Sequence, residues 1–269
     1  GGEAVEALIE RQLGNADKAL GNAQGERGAR LNVTQYDLSF VNTQSRFEVR
    51  KIVEALRRKG CGTLCFHGPP GTGKTALAEY IARELQRPLM IRQASDLVSK
   101  FLGETEQNMA RMFDEARNEE AVLLLDEADS FLRSRRMAER TYEISEVNEM
   151  LQGMERFTGI FICTTNLFLD IDEAALRRFT FKIQFKPLTP AQRERMFMAE
   201  ALAGVAPNAE QCQRLAALDA LTPGDYASVK RQVDILGEAF DPDEFLSQLE
   251  AEHRVKPEVR HLRGMGFTR

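Results

Sequence analysis

Apolar and β-rich positions gather in five short runs along the chain: Thr63–Gly68, Pro88–Gln93, Ala121–Glu127, Gly159–Asn166 and Phe179–Lys186. The first three are continuous apolar stretches, the pattern of strands covered on both faces. Between most of the runs the period lengthens. Met109, Met112, Phe113 and Ala116 recur at helical spacing and mark one buried stripe. A methionine-rich stripe suits a partner groove as well as a core, and core packing is the simpler expectation. Phe47, Ile52, Val53 and Leu56 mark a further helix, from about residue 45, ahead of the first strand. Strands alternating with helices predict an α/β fold with a parallel, doubly wound sheet.

The texture changes after Pro187. Three helix starts follow, each with Pro behind a capping residue: Thr189-Pro190, Thr222-Pro223 and Asp241-Pro242. Gln192, Asp225 and Glu244 stand three residues after those caps, where a side chain can return a hydrogen bond. No strand pattern interrupts them. The expected organisation is an N-terminal helix and linker over 1–44, a large α/β domain over 45–186 and a small helical domain over 187–269. Within the first segment, residues 3–13 read as a short helix and 14–30, rich in Gly, Asn and Ala, as linker. The opening Gly1-Gly2, without methionine, reads as a cloning scar on an excised fragment.

Composition narrows the function classes. A chain of 269 residues, 43% hydrophobic, is long enough to bury a full core. Its net charge of −5 gives no general attraction to nucleic acid or to an acidic membrane. No apolar run approaches the length needed to cross a bilayer. The cysteines at 61, 65, 163 and 212 are scattered. Cys61, Cys65 and His67 lie close enough together to raise a metal site, but two of them fall inside an apolar run and no second ligand pair follows. Reduced, mostly buried thiols in a cytoplasmic protein are the expectation.

The chemistry starts at Gly68-Pro69-Pro70-Gly71-Thr72-Gly73-Lys74-Thr75, which satisfies G-x-x-x-x-G-K-T between a strand run and a helix pattern. The glycines permit a tight loop whose backbone N–H groups point inward at phosphates. Lys74 is placed to reach the β and γ phosphates of ATP, Thr75 to hold Mg²⁺, and the following helix adds its N-terminal dipole. Val122-Leu123-Leu124-Leu125-Asp126-Glu127 is an apolar strand ending in two acids. Buried strands seldom end in paired carboxylates unless something cationic or catalytic sits there. Asp126 is expected in the Mg²⁺ shell and Glu127 as general base toward water; a solvated strand end is the bland alternative. Asn166 closes a third strand, where a neutral amide can orient water and sense the γ-phosphate.

With these pieces in order, the chain resembles the AAA+ ATPases, and within them the AAA group proper, from about Val49 to its C-terminus. The resemblance implies a five-stranded parallel sheet in the order 5-1-4-3-2, flanked by helices and followed by an all-helical lid. It implies that Gly68–Thr75 with Ala76 and Gly224 bind nucleotide and that Asn166 is the first sensor. Arg177 and Arg178 match the arginine-finger segment, although the family often separates such arginines. A surface pair capping a helix end is the plain alternative. In the finger role they would reach the neighbouring subunit's ATP, hence a homo-oligomeric ring, typically a hexamer. Lys100-Phe101-Leu102-Gly103 resembles the loop that grips polypeptide in the central channel, and Arg133, Arg135, Arg136 and Arg140 fall at the second pore loop.

The expectation is a Mg²⁺-dependent ATPase that unfolds, threads or disassembles proteins, catalysed by Lys74, Asp126, Glu127, Asn166, Arg177 and Arg178. A nucleotide-gated assembly switch and a machine acting on nucleic acid remain as rivals. The usual adenine contact is missing from the region of Tyr36 to Asn42. Substrate and adaptor are not legible.

Overall fold

The apolar runs do become strands, preceded by one strand the pattern assigns to the linker. The computed structural model describes residues 38–101, 103–132, 141–168, 171–237 and 240–256. The helix and linker expected over 3–30, Tyr36, Leu102 and the arginines at 133, 135, 136 and 140 lie outside the described residues. The strands are β1 (Asn42–Gln44), β2 (Gly62–His67), β3 (Leu89–Gln93), β4 (Val122–Asp126), β5 (Ile160–Thr165) and β6 (Phe181–Lys186). They form a six-stranded sheet in the order β1-β6-β2-β5-β4-β3.

From β2 to β6 every pairing is parallel, in the expected order of the five runs. The correction is β1, which pairs antiparallel with β6, Asn42 opposite Lys186 and Gln44 opposite Gln184. Its three residues are all polar, so no apolar alternation announces it. Backbone pairing and the Asn42 Nδ2 bond to the Pro187 carbonyl, 2.6 Å, hold it to the sheet edge.

Helices cover both faces, as the strands' burial requires. On one face lie α1 (Val49–Lys59) and α2 (Lys74–Glu84), packed through Ile52, Val53, Leu56, Leu77 and Ile81 against Leu64, Leu124, Ile162 and Phe185. Helix α1 stops at Gly60, which takes the left-handed conformation and donates its N–H to the Leu56 carbonyl at 2.8 Å. Phe47 stays outside this helix, half exposed and edge-on to Phe181.

The other face carries α3 (Ala94–Leu97), α4 (Glu104–Asn118), α5 (Asp129–Leu132), α6 (Thr141–Arg156) and α7 (Glu173–Arg178). Met109, Met112, Phe113 and Ala116 of α4 are all buried in this cluster, so the stripe is core and not a groove. Cys65 and Cys163 face each other on adjacent strands, both buried, and burial together with the Cys65 hydrogen bond raises the Cys163 thiol.

From Thr189 onward the described elements are helical: α8 (Pro190–Glu200), α9 (Ala209–Ala216), α10 (Pro223–Leu236) and α11 (Pro242–Val255). They close around their own core of Leu188, Phe197, Leu215, Leu221, Tyr226 and Leu246. The caps at Thr189 and Asp241 form reciprocal boxes with Gln192 and Glu244, and the Thr222 N–H donates to Asp225 at 2.6 Å. Asn208 and Gln211 make another box at α9, a start with no proline to flag it. Among the described residues, no helix is long and apolar enough to cross a membrane.

Candidate functional site

The loop Gly68–Thr75 joins β2 to α2, with Gly68, Gly71 and Gly73 at φ of 139°, 74° and 93°. At Gly68 a side chain is impossible: a Cβ would lie 2.2 Å from the Phe185 carbonyl oxygen. Thr72 is buried and ties the loop to itself, its hydroxyl donating to the Pro69 carbonyl at 2.7 Å. Pro70 stands exposed at the crest, and Ala76 is partly covered in the first turn of α2.

Lys74, only 9% exposed, points into the loop. Its ammonium donates to the Gly68 and Pro69 carbonyls and to Asn166 Oδ1, each at 2.8 Å. Burial pulls its pKa down to about 8, against the opposing pull of Asp126, Asp129 and Glu127. It is still mostly charged at neutral pH.

The Asp126 carboxylate bridges a hydroxyl of helix α2 and one of strand β5. Thr75 Oγ1 donates to its Oδ2 at 3.2 Å and Thr164 Oγ1 to its Oδ1 at 2.5 Å. The next residue, Glu127, is exposed at φ 57°, a left-handed conformation unusual for a residue with a side chain. Its N–H is satisfied by Thr164 Oγ1 at 3.0 Å. Backbone strain of this kind collects at functional positions.

Asp129, Thr164 and Thr165 belong to the site and are absent from the sequence reading. Asp129 Oδ1 accepts from Thr165 Oγ1, from the Asn166 N–H at 3.1 Å and from the Leu167 N–H at 3.3 Å. The third acid of Asp126-Glu127-Ala128-Asp129 and two threonines ending an apolar strand were the available signals. His67 is also part of the floor. It is stacked on Phe168 at 3.6 Å between ring centres, and burial, with Lys74, lowers its pKa to about 4.

Gly224 meets the loop from the helical side: its N–H donates to the Gly71 carbonyl at 2.8 Å. A Cβ on Gly224 would lie 2.8 Å from Gly71 Cα, and one on Gly71 would lie 2.9 Å from Thr222 Oγ1. Two glycines thus let the segments touch backbone to backbone.

Arg177 and Arg178 end α7, on a different element from the loop. Arg177 is 83% exposed, with only a loose 3.8 Å pairing to Glu173. Arg178 instead folds onto its own domain, 2.8 Å from Glu155 and 2.9 Å from the Ala174 carbonyl. Phe101 is 72% exposed, and Gly103 turns the chain into α4 at φ 85°. Ser99 braces that loop: it accepts the Phe101 N–H at 3.2 Å and donates to Glu104 at 2.5 Å. Lys100 is exposed beside Phe101.

The donor chemistry fits Mg²⁺. Thr75 Oγ1 and Asp126 Oδ2 are hard oxygens 3.2 Å apart, close enough for neighbouring positions on one octahedral ion that also takes phosphate oxygens. Among the described residues, no three His, Cys, Asp or Glu side chains gather as an all-protein cage, so the Cys61, Cys65 and His67 set does not form. A surface cleft of about 410 Å³ lies elsewhere, lined by Leu38, Val41, Phe47 and Val49, and shares no residue with the phosphate loop.

Comparison with known proteins bears on the family and the fold. Residues 64–187 match the family model described as ATPase family associated with various cellular activities (AAA). An uncharacterized protein, ORF529, of Acidianus two-tailed virus is 36% identical over 156 residues, 52% of this chain and 30% of that protein. An uncharacterized AAA family ATPase of Sinorhizobium fredii is 39% identical over 119 residues, 43% of this chain and 36% of its own. Spastin of Drosophila erecta is 33% identical over 141 residues, 49% of this chain and 18% of spastin. The chain therefore spans between 18% and 36% of the length of these relatives. A chain in the structure of an E. coli MS115-1 HORMA:CdnC:Trip13 complex aligns over 75% of this chain and 77% of its own, at a TM-score of 0.56 and 21% identity, a likeness of fold.

Proposed function

We propose, on the premise that the chain belongs to the AAA+ ATPases through its domain at residues 64–187, that it hydrolyses ATP with Mg²⁺ in a ring and spends the energy on remodelling proteins. The observation that carries the catalytic part is the contact of Lys74 with Asn166, beside Thr75 on Asp126. It gathers an ammonium, a hydroxyl, a carboxylate and an amide from three different elements.

In this reading Lys74 exchanges its carbonyl partners for phosphate oxygens. Thr75 and Asp126 hold Mg²⁺, which would neutralise charge on the β and γ phosphates when bound. Glu127 takes the proton of the attacking water, and Asn166 orients that water. Gly71, Thr72 and Gly73 present backbone N–H groups, and Gly224 closes the site from the helical side. Arg177 is the arginine that acts on a neighbour's ATP. Its exposure and weak partner leave it available, whereas Arg178 is engaged within its own subunit.

The exposed Phe101, on a braced loop beside a cation, favours polypeptide as the substrate. An apolar ring grips chains without reading sequence, and a net charge of −5 speaks against nucleic acid. Free thiols at Cys65 and Cys163 suit a cytoplasmic setting.

The test is Phe101→Ala, assayed for Mg²⁺-dependent phosphate release and for unfolding of a fluorescent protein carrying a disordered tail. Retained basal hydrolysis with unfolding lost supports threading. Unfolding by the variant at the wild-type rate refutes Phe101 as the gripping residue, and ATP hydrolysis without unfolding by the wild type leaves the assembly switch. Hydrolysis stimulated by single-stranded DNA with a steep salt dependence would refute the polypeptide reading.

A further inference from the structure

Asp129 takes part in none of the steps above, yet the peptide that carries Asn166 hangs on it. One carboxylate oxygen receives Thr165 Oγ1 and the N–H groups of Asn166 and Leu167, at 3.1 and 3.3 Å for the two amides. Thr165 Oγ1 in turn accepts the Leu167 N–H at 3.0 Å, which closes a small ring around the turn. Asn166 is itself exposed, so packing contributes little to its direction. Its backbone sets the aim of the amide, and that aim is what brings Oδ1 within 2.8 Å of Lys74. Hydrogen bonds to an ionised acceptor are short and directional enough to fix such a turn.

Asp129 opens α5, directly after the turn that follows β4. The Ala128 N–H donates to the Thr164 carbonyl at 2.9 Å, and the Glu127 N–H to Thr164 Oγ1 at 3.0 Å. The turn bearing Glu127 and the turn bearing Asn166 are therefore stitched together across neighbouring strands, with Asp129 on one side of the seam.

We propose that Asp129 is a positioning residue for hydrolysis: it fixes the Thr165–Leu167 turn so that Asn166 faces the phosphate site, and its effect on turnover passes through Asn166. This rests on the ATPase reading given above.

A double-mutant cycle tests it. ATP turnover and the affinity for a fluorescent ATP analogue are measured for Asp129→Ala, Asn166→Ala and the double variant, alongside hydrogen exchange of the peptide spanning 165–168. Each single change should lower kcat by about tenfold or more, the scale seen for outer-shell partners, with analogue affinity little altered. The double variant should be no slower than Asn166→Ala alone. Asp129→Ala should also raise exchange in the 165–168 peptide and leave the sheet's protection unchanged. If Asp129→Ala does not fold, Asp129→Asn, which keeps a weaker acceptor in place, should give the same non-additivity with a smaller loss. Additive losses, wild-type turnover in either single variant, or unchanged exchange would overturn the proposal. A wild-type protein without hydrolysis would refute the ATPase reading, and the exchange result would then decide the anchor by itself.

Discussion

Lys74 is buried beside three carboxylates that work against the cost of burying its charge. Asp126, Asp129 and Glu127 offset the desolvation that lowers its pKa to about 8. His67 sits under the same loop. Burial and the nearby Lys74 bring its pKa to about 4 from 6.5, so it is neutral in the fold and takes a proton more readily once unfolded. The folded state should therefore lose stability as pH falls from 6.5 toward 4. His67→Phe, which keeps a ring against Phe168, should flatten that part of the stability–pH profile in denaturant titrations. An unchanged slope would mean that other groups carry it.

At this scale the motif residues were legible, because Lys74, Thr75, Asp126 and Glu127 stand in fixed spacing on one stretch of chain each. Asp129 and Thr164 were not. Their meaning depends on β4 and β5 lying side by side, which spacing along one strand does not encode.

Helix α10 meets the phosphate loop through Gly224, and the contact is tight. Both atoms that a Cβ at Gly224 would crowd belong to the Gly71 backbone, at 2.8 and 3.1 Å, so neither can swing aside. Gly224→Ala should push the helical segment off the loop and lower ATP affinity by about tenfold or more, the result of misplacing one wall by a fraction of an ångström. Displacing the segment also strains or breaks the Gly224 N–H bond to the Gly71 carbonyl, so the melting temperature should fall. Titration with a fluorescent nucleotide and a thermal melt separate the two effects, and undiminished affinity would refute the contact's role. In the core, Met112→Ala should cost about 2–5 kcal/mol in chemical denaturation, because its side chain is fully buried between α4 and the sheet.

Elements with a strong internal signal were readable: the apolar runs of β2, β4 and β5, and the proline-led caps of α8, α10 and α11. Strand β1 was not, since Asn42, Thr43 and Gln44 are all polar and are strand only because β6 pairs with them. Helix α9 escaped for a similar reason, its cap being Asn208 with no proline behind it.

Assembly is where the two arginines of α7 part company. Sequence placed them together; the fold gives Arg178 three ties within its own subunit, to Glu155, to Ala174 and through its carbonyl to Thr63. Arg178→Ala should therefore lower the melting temperature. Arg177→Ala should leave it unchanged and, in the proposed ring, cut turnover by about a thousandfold or more. If the proposed site takes Glu127 from one subunit and Arg177 from the next, mixing Arg177→Ala with Glu127→Gln protein should restore part of the activity. Two dead variants that stay dead when mixed would refute the site's division between subunits.

Hydrolysis at Lys74, Asp126 and Glu127 is tested by phosphate release from the wild type, Lys74→Ala and Glu127→Gln, with nucleotide binding measured in parallel. Hydrolysis at this site requires Mg²⁺-dependent release by the wild type, loss of binding in Lys74→Ala, and full ATP binding with release reduced about a hundredfold or more in Glu127→Gln. Hydrolysis by Glu127→Gln at the wild-type rate would contradict it.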